Sequence, residues 1–292
     1  MTTAAGTTAR GPVVSASARA AIAYTARRTG VTVGTILLSL LVLVVLWQIA
    51  ISTSNISSFI TKGPLDVWKY FTQDGDGGTA ASHQRTLFRL LGVTLQDASI
   101  GFLVGVPLSA LIAVLFTMFR PIEFMFMPIA MLLRTVPLLA MAPVIYIIFG
   151  NGAVTAALIG TVVVLFPLLV NITVGLRSVS QQSVDLVRVY GGSRFTVLRK
   201  VAVPTALPHF FASMRIAVPG AITGAMLYEY LFTSAGLGGT VVTAKAAFDY
   251  QLIWASTVFV TVVSVVFYTI TAIIEAAVLS EWGPDAGKST GR

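Results

Sequence analysis

Apolar residues in this chain form long uninterrupted runs separated by short polar segments. Two of these runs, residues 31–51 and 153–174, hold no charged residue at all. Each run is about as long as the hydrocarbon core of a bilayer is thick. Further apolar stretches occupy residues 90–119, 122–150, 210–232 and 252–279. The pattern therefore predicts an all-α integral membrane protein with six transmembrane helices.

The third stretch, residues 122–150, is less regular than the others. It is interrupted by Pro128, Arg134, Pro137 and Pro143. Proline removes a backbone donor and clashes with the preceding turn, so it bends or breaks a helix. The sequence leaves two possibilities open, namely one bent helix or two separate pieces.

The segments between the runs suggest how the chain is divided. Residues 1–30 are small, polar and basic without an acid, which is typical of a cytoplasmic tail. Residues 31–51 lack a cleavage signature, so we expect a retained first helix rather than a signal peptide. Residues 52–89 are rich in turn-forming residues and predict an external loop. A membrane core over 90–280 and a cytoplasmic tail over 281–292 complete the division.

Composition excludes several classes of protein. Of 292 residues, 56% are hydrophobic and 10% are charged, with a mean hydropathy of +0.88, which excludes a soluble enzyme. The chain has no cysteine, and His83 and His209 are too far apart for a known metal-ligand spacing, so we expect no metal site. The net charge of +8 is better explained by membrane topology than by nucleic-acid binding.

Basic residues are unevenly shared between the two sides of the six-helix scheme. The side with both termini holds 13 lysines and arginines, and the other side holds 5. Positively charged loops stay in the cytosol. We therefore expect both termini and residues 176–208 to be cytoplasmic, in a multi-pass protein of the cell membrane.

The cytoplasmic segment 176–208 has the pattern of two short helices. Val184, Val187 and Tyr190 recur at helical spacing, and the glycines at 191 and 192 predict the end of the first helix. Ser193 is a candidate N-cap of the second helix, which we expect to end before Pro204 and Pro208. Neither helix is long enough to be stable alone, so each must dock on something.

This segment resembles the cytoplasmic "EAA" loop of transmembrane subunits of binding-protein-dependent ABC importers. The similarity extends over roughly residues 85–280, and it is greatest to permeases for nitrate, taurine and sulfonates. Where that loop has Glu-Ala-Ala, this chain has Asp185, Leu186 and Val187. The residues that carry the resemblance, and that it marks as ATPase-coupling positions, are Asp185, Val187, Arg188, Tyr190, Gly191, Gly192, Ser193, Arg194, Pro204 and Pro208.

The resemblance implies a type I permease core over 90–280 that works as a dimer, most simply a homodimer. In such importers the loop is a coupling helix bound by a dimer of cytosolic ABC ATPase subunits, which use ATP and Mg, and an extracytoplasmic binding protein delivers the solute. No cofactor is expected in this chain. The expected solute is an organic or inorganic anion such as a sulfonate, taurine or nitrate, or a pyrimidine-like precursor.

Ionisable residues inside the spans are functional candidates, because a charge in hydrocarbon is costly. Three stand out, namely Asp97, Arg134 and Glu229. They could line the translocation path, with Arg134 attracting an anion. The alternative is a structural ion pair of Arg134 with Glu229 or Asp97.

Two pairs of glycines have the spacing that lets membrane helices approach closely. These pairs are Gly101 with Gly105, and Gly220 with Gly224. We expect them to be packing sites, and one pair could instead lie at the interface between subunits.

Competing interpretations remain for both sets of charges. The arginines of 176–208 could contact acidic groups of an ATPase, or they could instead contact lipid headgroups. A secondary transporter driven by an ion gradient, with Asp97 and Glu229 as ion sites, is the alternative function. It would require inverted repeats with broken helices in both halves, which are not evident. An intramembrane enzyme would need a convergent catalytic set, which the spans lack.

Overall fold

The structure is a computed structural model that describes residues 38–75 and 77–282. The predicted tail over 1–30 and nearly all of the tail over 281–292 lie outside the described residues. The chain divides into two compact units, Met1–Leu65 and Asp66–Arg292. In the first unit, an apolar helix α1 spans Leu38–Thr53, and most of its side chains are exposed.

From Pro64 to Trp282 the chain consists of helices joined by short connections. In chain order they are α2 (Pro64–Thr72), α3 (Ala80–Met118), α4 (Arg120–Thr135), α5 (Leu138–Phe149), α6 (Ala153–Arg177), α7 (Gln181–Val189), α8 (Arg194–Val197), a π-helical turn (Leu198–Ala202), α9 (Val203–Phe232), α10 (Gly236–Ala246) and α11 (Tyr250–Trp282).

The predicted spans correspond to long apolar helices. Among the described residues, four helical stretches are long and apolar enough to cross a membrane: Ala80–Met118, Ala153–Arg177, Arg194–Phe232 and Tyr250–Trp282. Two shorter apolar helices, α1 and α5, occupy the places of the predicted first and third spans. Helix α3 begins ten residues before the predicted start of the second span, within the segment assigned to the external loop.

The stretch 122–150 is two helices, which decides between the alternatives left open by the sequence. Helix α4 ends at Thr135 and α5 begins at Leu138, on either side of Val136 and Pro137. A residue before proline is driven out of the helical region, and proline itself cannot donate to the preceding turn. Pro128 and Pro143 lie inside their helices and do not end them.

Helices α3, α6 and α9 form the centre of the second unit and approach each other at glycines. A Cβ added to Gly101 of α3 would lie 2.7 Å from the Cα of Gly160 in α6. A Cβ added to Gly224 of α9 would lie 3.1 Å from the same Cα. Gly105 and Gly220 face Val164 and Val163 of α6 in the same way. Both predicted glycine pairs therefore face α6 within this chain.

The prediction that the second coupling helix ends before Pro204 is wrong. Helix α8 continues through the π-helical turn into α9, so one helical stretch runs from Arg194 to Phe232. The Val203 N–H donates to the Leu198 carbonyl, five residues earlier, which widens this turn. The wider turn contains Lys200, whose carbonyl would otherwise clash with the ring of Pro204. Pro208 lies one turn further inside α9.

The segment 236–239 forms the first turn of α10. Three of its four residues are glycines, which disfavour helices in isolation. Here the lack of side chains is required, because a Cβ at Gly238 or Gly239 would overlap backbone atoms of Met226 or Ser234. Close packing against the end of α9 outweighs the low helix propensity.

Helix α2 is held to the start of α3 by stacked rings. The rings of Tyr70 and His83 lie 4.0 Å apart between centroids, and the His83 Nδ1 atom is 3.0 Å from the Tyr70 carbonyl oxygen. Burial, with a smaller contribution from the Asp249 carboxylate, raises the pKa of Tyr70 to about 12. Tyr70 therefore stays neutral across the physiological range.

The glycine contact between α3 and α6 predicts a difference between two matched alanine substitutions on α3. Gly101→Ala should destabilise the protein by about 1–3 kcal/mol, because the methyl group has no room against Gly160. Gly92→Ala should leave stability unchanged or slightly higher, since no atom lies within 4 Å of its added Cβ. Thermal unfolding in detergent measures both, and equal midpoints for the two variants would contradict the packing assignment.

Candidate coupling and transport sites

Helix α7 is capped at both ends by local hydrogen bonds. At its start the Ser183 N–H donates to the Ser180 Oγ atom at 3.3 Å. At its end Gly191 adopts a φ of 75°, a left-handed conformation that suits glycine. The Gly191 N–H donates to the Arg188 carbonyl and the Gly192 N–H to the Val187 carbonyl, both at 2.9 Å. This pair of bonds is a Schellman motif, so the predicted stop at the two glycines is confirmed.

Ser193 caps the helical stretch that follows, as predicted. Its Oγ atom accepts a hydrogen bond from the Thr196 N–H at 3.3 Å. The chain therefore turns sharply between α7 and α8 with few unsatisfied backbone groups. The result is a short, self-capped helix between the ends of α6 and α9.

One face of α7 presents apolar side chains to the outside. Val189 and Tyr190 are each 84% exposed, and Leu186 is 59% exposed. Phe195, at the start of the next helix, is 62% exposed. We call Leu186, Val189, Tyr190 and Phe195 the docking surface. Of these, only Tyr190 was among the sequence candidates, because the helical pattern alone does not tell which apolar face is buried.

The other face of α7 lines a cavity. Gln181, Val184 and Arg188, spaced as one helical face, border a cavity of 1220 Å³ together with Arg194. Asp185 is exposed and accepts a hydrogen bond from the Gln181 Nε2 atom at 2.9 Å. The remaining candidate on α7, Val187, is half-buried and packs against Gly192. The coupling candidates thus divide between two faces of one short helix.

Glu229 lies fully buried near the end of α9 and binds the start of α10. Its Oε2 atom accepts hydrogen bonds from the Thr94 hydroxyl at 2.9 Å and from the Gly238 N–H at 2.8 Å. The Leu237 N–H donates to the Thr94 Oγ1 atom at 2.9 Å. A carboxylate at a helix N-terminus satisfies free N–H groups and interacts favourably with the helix dipole.

Gly236 makes this arrangement possible. Its φ is +66°, and a Cβ at this position would overlap the Glu229 carboxylate. The network joins α3, α9 and α10 in the core, where the Glu229 side chain is fully buried. Thr94 was not a sequence candidate, because a single threonine in an apolar span carries no signal of its own.

The suggested ion pair of Arg134 with Glu229 or Asp97 is not present among the described residues. The Glu229 Oε2 atom is bonded to Thr94 and Gly238, and Arg134 is exposed in the last turn of α4. Asp97 is half-buried one helical turn after Thr94. Of the three ionisable candidates, Glu229 is buried, Asp97 is half-buried and Arg134 is exposed.

An ion pair that the sequence analysis did not anticipate joins α9 to α11. The Arg215 Nε atom lies 2.9 Å from the Glu275 Oε2 atom, and the Arg215 guanidinium lies 5.9 Å from the centre of the Tyr268 ring. A charge in a membrane helix is tolerated when it is paired within the protein. Arg215 is one of the 13 basic residues assigned from the sequence to the cytosolic side. Glu275 lies within the apolar stretch 252–279.

Comparison with known proteins identifies the family. Residues 105–280 match the family described as binding-protein-dependent transport system inner membrane component. This match covers more than half of the 292 residues. The chain belongs to this family, whose members are membrane components of transport systems and not the catalytic subunits.

Similar proteins are permeases of several importers. The chain is 27% identical to the riboflavin transport system permease protein of Chloroflexus aurantiacus, over 81% of this chain and 86% of that protein. It is 25% identical to the putative aliphatic sulfonates transport permease protein of Bacillus subtilis, over 82% of this chain and 84% of that protein. A chain of the MetNI methionine ABC transporter has a TM-score of 0.49 and 16% identity, covering 66% of this chain and 94% of that chain.

Family membership decides between the functional hypotheses. The chain is the multi-pass permease component of an ATP-driven ABC importer, which works with a binding protein and an ABC ATPase. The all-helical architecture agrees with this assignment. The ion-driven transporter, with Asp97 and Glu229 as its ion sites, is thereby set aside.

The Glu229 network predicts that Thr94→Val loosens α10. The valine keeps the shape of the side chain, but it leaves the Leu237 N–H and the Glu229 Oε2 atom each without one partner. A lost buried hydrogen bond of this kind costs about 1–3 kcal/mol. Amide hydrogen exchange over 236–246 should therefore become faster by about tenfold or more.

Thr257→Val is the matched control for this experiment. Thr257 is exposed on α11, and its hydroxyl bonds only to the Ile253 carbonyl of its own helix. Exchange over 236–246 should not change in this variant. Equal acceleration in both variants would show that the Thr94 hydroxyl does not hold α10.

Proposed function

We propose that this chain docks a dimer of cytosolic ABC ATPases through the docking surface and imports a small anionic solute. The observation that carries the docking proposal is the exposed apolar face of α7, on a helix that is capped at both ends by its own hydrogen bonds. Clusters of exposed apolar side chains on a folded element mark interaction sites. The family assignment supplies the class of partner.

The docking surface has the composition of the centre of a protein interface. Two of its four members are aromatic, and two are aliphatic. Interface centres are enriched in aromatic residues and depleted of charge, and full burial of such a side chain is worth about 1.5–3 kcal/mol. Arg188 and Arg194 lie beside this surface, so the partner would contact apolar groups first.

Helical continuity supports the transmission of movement from the docking surface. Phe195 lies at the start of the stretch Arg194–Phe232, which crosses the unit as one helix. A displacement at Phe195 therefore acts on the same helix that carries Glu229 at its far end. Rigid-body movement of packed helices is a common way of switching between states.

Charge distribution supports the orientation of the chain. With 13 basic residues on the side of both termini and 5 on the other, the docking surface faces the cytosol and α10 faces outward. The bound ATP and Mg then belong to the partner subunits, and this chain carries no cofactor. A second copy of the chain completes the path as a homodimer, and the binding protein delivers solute on the side of α10.

Arg134 supports an anion as the solute. It is exposed in the last turn of α4, next to the break before Pro137, and no carboxylate pairs with it among the described residues. An arginine donates charge-assisted, bidentate hydrogen bonds to carboxylates and sulfonate-like groups. The similarity to a sulfonate permease agrees with this choice, whereas the riboflavin permease shows that the family also handles larger organic solutes.

The docking proposal predicts that Val189→Asp uncouples the permease from the ATPase. Val189 is 84% exposed, so the substitution removes no contact within the fold. A charge in a desolvated interface centre costs several kcal/mol, so the complex should no longer co-purify and solute-stimulated ATP hydrolysis should be lost. Phe248→Asp is the control, since Phe248 is 65% exposed near α10 at the other end of α9. An intact complex in both variants would refute the docking surface.

The solute proposal predicts that the charge of Arg134 sets anion uptake. Arg134→Glu should lower the rate of uptake of an anionic solute by at least about tenfold in proteoliposomes, because attraction becomes repulsion. Arg134→Lys should give an intermediate rate, because it keeps the charge but loses the paired hydrogen bonds of the guanidinium. Co-purification with the ATPase should remain normal in both. Uptake that is unchanged in Arg134→Glu would remove Arg134 from the path.

A further inference from the structure

The cavity between α4 and α7 is built from several elements of the second unit. It is bordered by the C-terminal ends of α3 and α6, one face of α4, the inner face of α7 and the π-helical turn. Its volume of 1220 Å³ exceeds the roughly 300–1,000 Å³ of ordinary small-molecule sites. Such a cavity suits a large or elongated ligand.

The charge of the cavity wall is strongly positive. Its charged members are Arg120, Arg177, Arg188, Arg194 and Glu123. The single acid is already engaged, because Glu123 forms an ion pair with Arg177. In the part of the chain that the structure describes, no carboxylate pairs with the other three arginines. Three guanidinium groups from three different helices therefore lack a counter-ion.

The position of Arg120 adds a second electrostatic argument. Arg120 is the first residue of α4, where the helix dipole is positive and a cation is unfavourable. Glu123 lies in the same turn, but it is shared with Arg177. An anion in the cavity would interact with both the Arg120 guanidinium and the N-terminus of α4. Arginine is the residue that best matches the geometry of phosphate oxygens.

Most of the remaining wall of the cavity is apolar. Met118, Met127 and Leu198 line its interior. Phe124 and Met131 also line it, and they are 79% and 55% exposed. A ligand with a phosphate and a hydrocarbon chain would satisfy both parts of the wall.

We infer that this cavity binds an anionic phospholipid of the cytosolic leaflet, with its phosphate among Arg120, Arg188 and Arg194 and its acyl chain along α4. The inference rests on the proposed function for the orientation of the chain. It assigns Arg188 and Arg194 to lipid rather than to acidic groups of the ATPase. Helix α7 accommodates both partners, because its lipid face and its docking surface are different faces.

The test measures lipid binding to the purified full-length permease without the ATPase, by native mass spectrometry. Phosphatidylglycerol should bind more tightly than phosphatidylcholine. The double variant Arg120→Gln/Arg188→Gln should weaken phosphatidylglycerol binding by at least about tenfold, since charged hydrogen bonds are lost. The matched control is Arg199→Gln/Lys200→Gln, which removes the same charge from exposed positions of the π-helical turn outside the cavity.

Several results would overturn the inference. Equal weakening in the two double variants would mean that lipid binds to general surface charge. Equal binding of phosphatidylcholine would remove the role of anionic charge. Displacement of the lipid by millimolar inorganic phosphate would show that the cavity takes phosphate from water instead. Lipid binding that appears only with the ATPase present would place the arginines at the protein interface.

A second measurement does not depend on the folding of the variants. Phosphatidylglycerol with a photoreactive acyl chain should label α4 of the wild-type protein at Met127 and Met131, and labelling confined to other helices would refute the site. Failure here leaves the docking proposal intact, because the co-purification of Val189→Asp and Phe248→Asp is measured separately. Conversely, loss of ATPase binding in Val189→Asp would not change lipid binding by the isolated permease.

Discussion

The close approach of three backbones is the constraint on which this structure depends. Inside a bilayer, water does not drive helices together, so their association relies on tight packing and on internal hydrogen bonds. Gly101 and Gly224 approach Gly160 from two sides, which makes α6 the common neighbour of α3 and α9. Every functional segment is attached to one of these three helices. The α7 helix follows α6, α8 leads into α9, and α10 is held by residues of α3 and α9.

Helix α7, in the segment 176–208, shows how one short helix can have two partners. Nine residues are too few for a helix that is stable alone, and α7 is sustained by its caps and by what its faces contact. Its inner face borders a basic cavity, and its outer face presents aromatic and aliphatic groups. Arg188 and Arg194, for which the sequence left both ATPase and lipid contacts open, lie on the side of the membrane helices. Polar and apolar recognition are thus separated on opposite sides of the same backbone.

Structure could be predicted from the sequence wherever one local physical signal dominated. The apolar runs located the spans because a helix in lipid must bury its backbone groups within itself. The glycine stop of α7 and the cap at Ser193 were also predictable, since both are local. The start of α3 and the helix at Gly236 were not, because both depend on contacts with other segments, and the continuity through Pro204 was not, because it depends on a π-helical turn that prolines do not signal. The pairing of Glu229 with Thr94 and of Arg215 with Glu275 escaped prediction for the same reason.

The π-helical turn has a consequence for how force would travel. A hinge at Pro204 would allow the cytosolic end to move without moving the rest of the helix. The chain instead has one continuous helical stretch over Arg194–Phe232, about 58 Å along its path at 1.5 Å per residue. Its far end carries the buried Glu229 carboxylate, which accepts a hydrogen bond from the Gly238 N–H of α10. A tilt of this helix at one membrane surface would therefore also displace its end at the other surface.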